Sequence, residues 1–524
     1  MATVSAEQQL KLAEKAFERQ NNWRSTLEEA YLYAHPQVNV LSTATEGAKK
    51  NTHLFTGFGQ TQTRKAVNRF INHVFPAEQN WCIMKAGPGI NPDAVAETNK
   101  KLQEATLKMF AVMHHRSNFQ TAIGEMVQDL WISTGILTVQ KGRDVTKPVS
   151  YVAIPQHQVA LEDGPEGEVG AKNRKFKLKV GLITATWKDA KLTPKMEKAK
   201  LEKPDTEFEL VERTYTDYDT GEVYYCVIAS DEKDFIIEKP MRMDRYVVGR
   251  LSRSPNEVNG RGPVLDALPD LKTMNKIVEL VLKNASVAIS GPWTVVDDGV
   301  VNAGNAILGP NRMIPVARNP GHPSGPSIAP LERAGSFDVA YMEYERLKTE
   351  ITDALLANDL PEYDGAPKTA AEILARVRAY VEDTGAFYGR INREIVIPIV
   401  QNTLDIMHHD WGMVDKLVVD GNFINLEITS PLAIQQAVRE VEAVSQAIEI
   451  SKTLFGPEQT AAVFKIEELP RWIARKLNVP EELLRDKGEQ QGIEGGAAEA
   501  ITAVEGVNPG AGIGILQQAV RGGA

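Results

Sequence analysis

One stretch of the sequence, residues 336–411, limits the folds open to this chain more than any other. Its first part repeats apolar residues every three or four positions, which is typical of one helical face: Phe337, Tyr341, Tyr344, Leu347, Ile351 and Leu355. Prolines, a glycine and acidic residues then interrupt the helix between positions 358 and 368. Thr369 and Glu372 have the spacing of a capping box. The sequence therefore predicts a helix, a break and a longer helix.

The second predicted helix is long for a globular protein. Its apolar period continues to Trp411 and is interrupted by Pro398, so we predict a kink at that proline. A helix from 369 to 411 would span roughly 60 Å. Taken alone, the stretch also fits two helices of an ordinary bundle. The rest of the chain decides between these interpretations.

Helical and extended patterns alternate along the rest of the chain, which predicts an α+β fold that is mainly α. Helical patterns cover residues 5–34, 61–75, 95–133 with a break near Ser117, 269–290, 432–454 and two short segments in 458–486. Extended patterns cover residues 81–84, 136–139, 151–154, 180–183, 208–211 and 223–228, and a hairpin is predicted within 417–428. A segment rich in proline and glycine, 291–335, separates two helices, and loops of that length are usually functional.

Charge and motif content exclude several classes of protein. The net charge of −10 argues against a protein that grips nucleic acid tightly by its backbone. Cys82 and Cys226 are too few and too far apart for a disulfide framework or a zinc site. The sequence contains no P-loop, no Gly-x-Ser-x-Gly and no His-Glu-x-x-His. We therefore expect no cofactor, no metal and no membrane segment, and a soluble protein made in the cytoplasm.

Two local patterns have both a functional and a plain structural interpretation. Residues 172–203 hold eleven lysines and arginines against three acids, so they could contact phosphates or form a solvated insertion. The solvated interpretation is favoured because no aromatic residues are spaced to stack on bases. Asp219-Thr220-Gly221 matches the aspartic-protease signature, but a hairpin turn explains it fully.

Residues 246–268, which read YVVGRLSRSPNEVNGRGPVLDAL, closely resemble the head-to-tail connector, or portal, proteins of T7-like short-tailed bacteriophages (podoviruses). The most specific part is the motif Gly260, Arg261, Gly262 and Pro263. Residues 368–376 resemble the family's Thr-Ala-Thr-Glu helix start. Asn259 stands where relatives often have an aromatic residue, and Ala371 stands in place of the second threonine. The resemblance covers about residues 5–485.

The resemblance implies a ring of twelve subunits, each divided into wing, stem, clip and crown. The implied segments are a wing in 1–268 with a β-rich part in 150–250, stem helices in 269–290 and 336–357, a clip in 291–335, a tunnel loop in 358–368, a long kinked helix with wing strands in 369–430 and a crown in 431–487. Residues 488–524 lie outside the resemblance, and their Gly- and Ala-rich composition predicts a flexible tail. Such a ring occupies one capsid vertex of the virion and conducts double-stranded DNA during packaging and ejection. It has no catalytic activity.

The implied partners are further copies of the chain, double-stranded DNA, the terminase, tail adaptor proteins, and capsid and scaffolding proteins. Two alternatives remain open at this point. The chain could be a structural scaffold that never contacts DNA, or a hydrolase that uses its Asp-rich turns.

Three groups of residues are candidates for function. The tunnel loop contributes Asp359, Leu360, Glu362, Tyr363, Asp364 and Lys368, and candidate channel-lining cations are Lys272, Lys276, Lys283, Arg346 and Lys348. The loop has no basic residue at its tip, so we expect a repulsive collar around DNA, with a plain surface connection as the alternative. Arg261 is expected to be structural, because a guanidinium between two glycines can bind carbonyls or a carboxylate.

Overall fold

The computed structural model describes residues 5–38, 41, 45–77, 79–91, 94–290, 293–295, 328–330, 338–357, 387, 389–417, 419, 424–428, 431–456, 459–460, 463–464 and 469–476. Two compact units divide the chain, Met1–Ser430 and Pro431–Ala524. The first unit combines helices with antiparallel sheets, and the second is helical where it is described. The predicted α+β class, mainly α, is confirmed.

Five helices and one strand form the N-terminal part: α1 Ala6–Asn21, α2 Arg24–Ala34, α3 Phe58–Val74, β1 Cys82–Ala86, α4 Val95–His115 and α5 Phe119–Ile132. Ser5 caps α1 in a capping box with Gln8. The helix predicted over 5–34 is interrupted at Asn22 and Trp23, whereas the break near Ser117 is confirmed. These helices enclose a core of large buried side chains that includes Trp81, Phe110 and Phe119.

The β-rich region contains two antiparallel sheets. Its elements are β2 Thr134–Asp144, β3 Lys147–Ala153, β4 Val159–Asp163, β5 Val169–Lys179, α6 Val180–Thr186, α7 Pro194–Glu202, β6 Glu207–Thr216, β7 Val223–Ala229, β8 Phe235–Met241 and β9 Tyr246–Arg250. The first sheet has the order β3-β2-β9 and the second has the order β4-β5-β6-β7-β8. Asp219-Thr220-Gly221 lies in the turn between β6 and β7, where Gly221 has φ +73° and donates to the Asp217 carbonyl at 2.7 Å. The hairpin interpretation of this motif is confirmed.

Two strand predictions are wrong. Residues 180–183 form α6 instead of a strand, because Val180 and Ile183 are both buried at a helical spacing of three. The segment β12, Ile424–Ile428, pairs with β1 and not with a strand around Leu417, since neither Leu417 nor Val419 is extended in a strand. The pairing joins residues more than 330 positions apart, which no local pattern can indicate.

The pair of helices predicted around residues 269–357 is present, with one boundary changed. Helix α8, Pro263–Ser290, begins six residues before the predicted start, so Pro263 occupies its first turn and Pro269 lies inside it. Helix α9 spans Asp338–Ala354 and contacts α8 extensively. Of the segment between them, the structure describes β10, Trp293–Val295, and β11, Ile328–Pro330, which pair antiparallel.

The long helix is described from residue 389 to its end. A π-helical segment, Asn392–Val396, leads into α10, Ile397–Asp405, and a second one, Ile406–Asp410, ends it. Wide π turns are one way in which a helix accommodates a proline, here Pro398. The end predicted at Trp411 is confirmed, and residues 369–386 lie outside the described part. The second unit contains α11, Pro431–Phe455, and α12, Leu469–Lys476.

Candidate functional site

The Gly-Arg-Gly-Pro motif lies where two glycines are required by close packing. A Cβ atom on Gly262 would stand 2.1 Å from the carbonyl oxygen of Trp131, and one on Gly260 would stand 2.7 Å from that of Ser133. The backbone of the motif therefore lies directly on the junction between α5 and β2. No residue with a side chain fits either position without movement of buried backbone.

Hydrogen bonds fix the motif to this junction. The Gly260 amide donates to Thr134 Oγ1 at 2.9 Å, and the Gly262 amide donates to the Ile132 carbonyl at 3.0 Å. The Ser133 hydroxyl donates to the Gly260 carbonyl at 2.7 Å. These contacts place Pro263 at the start of α8, so the motif determines where that helix leaves the core.

Arg261 binds a carboxylate, one of the two expected kinds of partner. Its Nε and a terminal nitrogen donate to the two carboxylate oxygens of Glu257 at 2.8 and 2.7 Å. The guanidinium also lies 5.0 Å from the ring centre of Trp23, at the break between α1 and α2. The Arg261 hydrogen bonds lower the pKa of Glu257 below its usual range. Arg261 thus joins the motif to the N-terminal helices, which suits a structural role.

Sequence reasoning missed Arg250, which is more deeply buried than Arg261. Its guanidinium donates to both carboxylate oxygens of Glu394, at 2.6 and 3.2 Å, and to the carbonyls of Val258 and Gly167. Glu394 lies in the first π segment, so Arg250 joins β9 to the long helix. An arginine that ends the apolar run Tyr-Val-Val-Gly was the available signal.

Two further arginines bind the long helix near its end. Arg245 contacts the Asp405 carboxylate and donates to the Asn402 side chain at 3.1 Å. Arg242 donates to Asp405 at 3.3 Å and lies 3.6 Å from Asp410. The segment between β8 and β9 therefore holds the long helix along its C-terminal half by charged hydrogen bonds.

A buried carboxyl group lies beside the motif. Asp129 accepts a hydrogen bond from the Tyr31 hydroxyl at 2.7 Å and a longer one, at 3.4 Å, from the Gln156 amide. The Gln156 side chain donates to Ser133, whose hydroxyl in turn donates to Gly260. Burial raises the pKa of Asp129 to about 6, although its two hydrogen bonds oppose the change.

Each of the five candidate channel-lining cations is paired with a glutamate. Lys272 reaches Glu29 of α2 at 2.8 Å, while Lys276 and Lys283 both reach Glu279, at 3.0 and 2.5 Å. Arg346 contacts Glu343 and Glu350, the latter at 2.6 Å, and Lys348 lies 3.4 Å from Glu345. All five cations lie on the paired helices α8 and α9, and glutamate carboxylates largely neutralise their positive charge.

The distal part of this helix pair exposes apolar side chains. Leu280 and Leu282 on α8 and Val339, Tyr341 and Met342 on α9 are all more than half exposed. Near the motif, by contrast, Leu271 and Met274 of the same α8 are buried. Several large exposed apolar side chains on one helix pair make it a candidate interaction surface.

Several cations of the basic stretch 172–203 pair with nearby acids. Lys175 pairs with Glu209 and Lys179 with Asp205, at 2.9 Å for the second pair, and Lys198 lies 4.0 Å from Glu202. Lys172 is buried against Asp244. These pairs favour the solvated interpretation over phosphate contact.

The tunnel-loop residues from Asp359 to Lys368 and nearly all of the predicted clip lie outside the described residues. Within the described part, no group of three or more His, Cys, Asp or Glu side chains is arranged to hold a metal. No described helix is long and apolar enough to span a bilayer.

A sequence model of the family described as bacteriophage head to tail connecting protein matches residues 6–484. The chain belongs to this family. The match covers the motif, the paired helices and the long helix, and it confirms the resemblance seen in residues 246–268. No curated protein matches the chain.

Solved structures with a distant likeness come from gene transfer agent (GTA) particles. They are the virion of the native particle, the neck of the empty particle computed with C6 symmetry and the neck of the native particle computed with C12 symmetry. Their identities to this chain are 12%, 13% and 12%, and their TM-scores are 0.33, 0.33 and 0.32. Each comparison covers 78% of this chain and 91%, 90% and 90% of the respective other chain. The family assignment rests on the sequence match and not on these structures.

Proposed function

We propose that this connector forms a closed ring of twelve copies at one capsid vertex, and that double-stranded DNA passes through the ring during packaging and ejection. The family match over residues 6–484 carries the proposal. The ring also serves as the docking platform for the terminase and the tail adaptor proteins, and it contacts capsid and scaffolding proteins. It acts in the virion as a non-catalytic channel.

The exposed apolar residues of α8 and α9 support assembly into a ring. A monomer in water gains nothing from exposing Leu280, Val339 and Met342, whereas burial against another copy stabilises an assembly. In this proposal α8 and α9 are the stem helices, residues 1–268 and 369–430 form the wing, 291–335 the clip and 431–487 the crown.

The paired cations support passage of DNA without tight binding. Each phosphate that a protein neutralises adds affinity and salt dependence. Lys276, Lys283 and Arg346 already have carboxylate partners, so they add little phosphate affinity. Cations that are neutralised in this way do not hold the duplex in place, whether they lie in the channel or between copies.

Head assembly with and without the chain tests the function. Heads assembled with the unchanged chain should contain nuclease-protected DNA of full length, and heads assembled without it should be empty. Normal filling of heads that lack the chain would contradict the proposal.

The acidic loop between residues 359 and 366 is proposed to act as a collar that resists backward sliding of DNA. Replacing it with a short Gly-Ser linker should leave ring assembly intact while heads lose DNA or fail to fill. A linker of the same length inserted in the tail after residue 490 is the matched control. Full retention of DNA by the loop variant would show that the loop is a plain connection.

A further inference from the structure

Two triads of charged residues with the same spacing lie on the paired helices. On α8, Glu279 lies between Lys276 and Lys283, which contact it at 3.0 and 2.5 Å. On α9, Arg346 lies between two acids, and its Nε donates to Glu343 at 3.0 Å while a terminal nitrogen donates to Glu350 at 2.6 Å. Both triads have gaps of three and then four residues, so each covers two helical turns.

The two triads have opposite charge patterns. The α8 triad reads positive, negative, positive, and the α9 triad reads negative, positive, negative. Two α8 triads placed against each other would align like charges, and so would two α9 triads. An α8 triad placed against an α9 triad aligns opposite charges at all three positions.

Exposed apolar residues accompany each triad on the same side of its helix. Leu280 lies four residues after Lys276 and three before Lys283, and it is 54% exposed. On α9, Val339 and Met342 each precede a member of the triad by four residues. Apolar groups bordered by charges are typical of a surface that binds another protein.

The chain itself leaves most of these surfaces uncovered, although the Glu279 side chain, which contacts both lysines of its triad, is only 16% exposed. Helical geometry puts the α8 triad on the side away from the buried residues Leu271 and Met274. Lys272 lies one helical turn before Lys276 on the same side of α8, and it forms an ion pair with Glu29 of α2. Lys276 and Lys283, further along the helix, remain exposed. Throughout the described residues, the ion pairs of Lys276, Lys283 and Arg346 stay within their own helices.

We infer that the α8 triad of one copy packs against the α9 triad of the next copy, so that Glu279 faces Arg346 and each lysine faces a glutamate. This inference rests on the proposed ring and specifies its contact. In the proposed ring each copy uses its α8 triad on one neighbour and its α9 triad on the other, so the contact is head-to-tail and can repeat until the ring closes. The charge pattern also fixes the register of the two helices.

Charge reversal of one triad at a time tests the contact. One variant carries K276E, E279K and K283E, and the other carries E343K, R346E and E350K. Each variant keeps opposite charges at the same spacing within its helix, so the local helix remains supported. Reversal of the exposed pair on α4, E97K with K101E, is the matched control, because that pair has a similar spacing but no triad opposite it.

Assembly is measured by light scattering at low ionic strength, where exposed charges are least screened. Each triple variant alone should lose its rings, because like triads then meet at every contact. A chain with all six substitutions should form rings again. An equimolar mixture of the two triple variants should also form rings, in which the variants alternate and the number of copies is even.

Three results would overturn the inference while leaving the proposed ring in place. Either triple variant could form rings as readily as the unchanged chain, or the six-substitution chain could remain unassembled. A mixture of folded triple variants, checked by circular dichroism, that fails to assemble counts equally against it. If the unchanged chain formed no ring at all, the proposed function itself would fail.

Discussion

The first half of α8 and its second half share one helical pattern but have opposite surroundings. Leu271 and Met274, in the first half, are 3% and 0% exposed, whereas Leu280 and Leu282 in the second half are 54% and 52% exposed. The first half begins at the Gly-Arg-Gly-Pro motif and packs into the core of its own chain. The second half has the same kind of apolar residues but lacks such packing among the described residues. Folding of one chain explains the first half, and the proposed assembly accounts for the second.

The largest effect is expected at the start of α8. Gly262→Ala places a Cβ atom 2.1 Å from the Trp131 carbonyl oxygen, and the contact is with backbone that cannot move easily. We expect at least about 4 kcal/mol loss in the free energy of unfolding, measured by chemical denaturation. Gly389→Ala, where a Cβ atom meets nothing within 4 Å, is the control and should be neutral or stabilising. If both variants were equally stable, Gly262 would not be required by close packing.

Truncation of the buried Arg250 and of the exposed Arg346 should affect the stability of the folded chain very differently. Arg250→Ala leaves the Glu394 carboxylate without its partner in a site where Arg250 was 3% exposed, so we expect a loss of about 3–5 kcal/mol. Arg346→Ala removes an exposed ion pair and should change the stability of the monomer by less than about 1 kcal/mol. Both are measured by denaturation under conditions that keep the chain monomeric. Similar losses of unfolding free energy for the two variants would contradict the contrast between a buried and an exposed ion pair.

The two halves of α8 should respond differently to the same truncation. Leu271→Ala opens a cavity in the core and should cost about 2–5 kcal/mol. Leu280→Ala should leave the stability of the monomer within about 0.5 kcal/mol while it weakens assembly. Thermal unfolding measures the first effect and light scattering the second. A comparable fall in monomer stability for Leu280→Ala would mean that its own chain covers it.

The smallest expected effect concerns pH and Asp129. Its folded-state pKa of about 6 lies above the ordinary value of 3.8, so the folded chain binds the proton more tightly than the unfolded chain does. Stability from this group is therefore highest below pH 3.8 and falls as the pH rises through 6. Above that, the penalty is no more than about 3 kcal/mol.

Asp129→Asn should remove this dependence. The stability of the variant relative to the unchanged chain should rise between pH 4 and 7, as measured by denaturation at each pH. A difference that stays constant over this range would show that Asp129 does not titrate there. Asp144→Asn, at an exposed turn with a lowered pKa, is the control, and its relative stability should stay nearly constant over this range, because its own change falls below the ordinary pKa of 3.8.

Local patterns predicted those parts of the fold that local interactions determine. The break near Ser117, both helices of the α8–α9 pair and the end of the long helix at Trp411 are all set by residues close together in sequence. The hairpin turn at Gly221 is likewise a local feature, since it needs a residue with positive φ.

Contacts between distant segments could not be predicted in this way. The pairing of β1 with β12, the Arg250–Glu394 contact and the arginines that hold Asp405 join segments far apart in the chain. The error at residues 180–183 has another cause, because two apolar residues three positions apart fit a short helix as well as a strand. The candidate cations could be named from the sequence. Their pairing with glutamates, and the exposure of both partners on α8 and α9, could be seen only in the structure.

The mass of the purified chain in solution tests the central claim most directly. Light scattering of the unchanged chain should give about twelve times the 57.7 kDa of one copy, and Leu280→Ser combined with Met342→Ser should reduce it towards a single copy without loss of folded structure. A folded unchanged chain that stays at 57.7 kDa over a wide range of concentration would contradict the account.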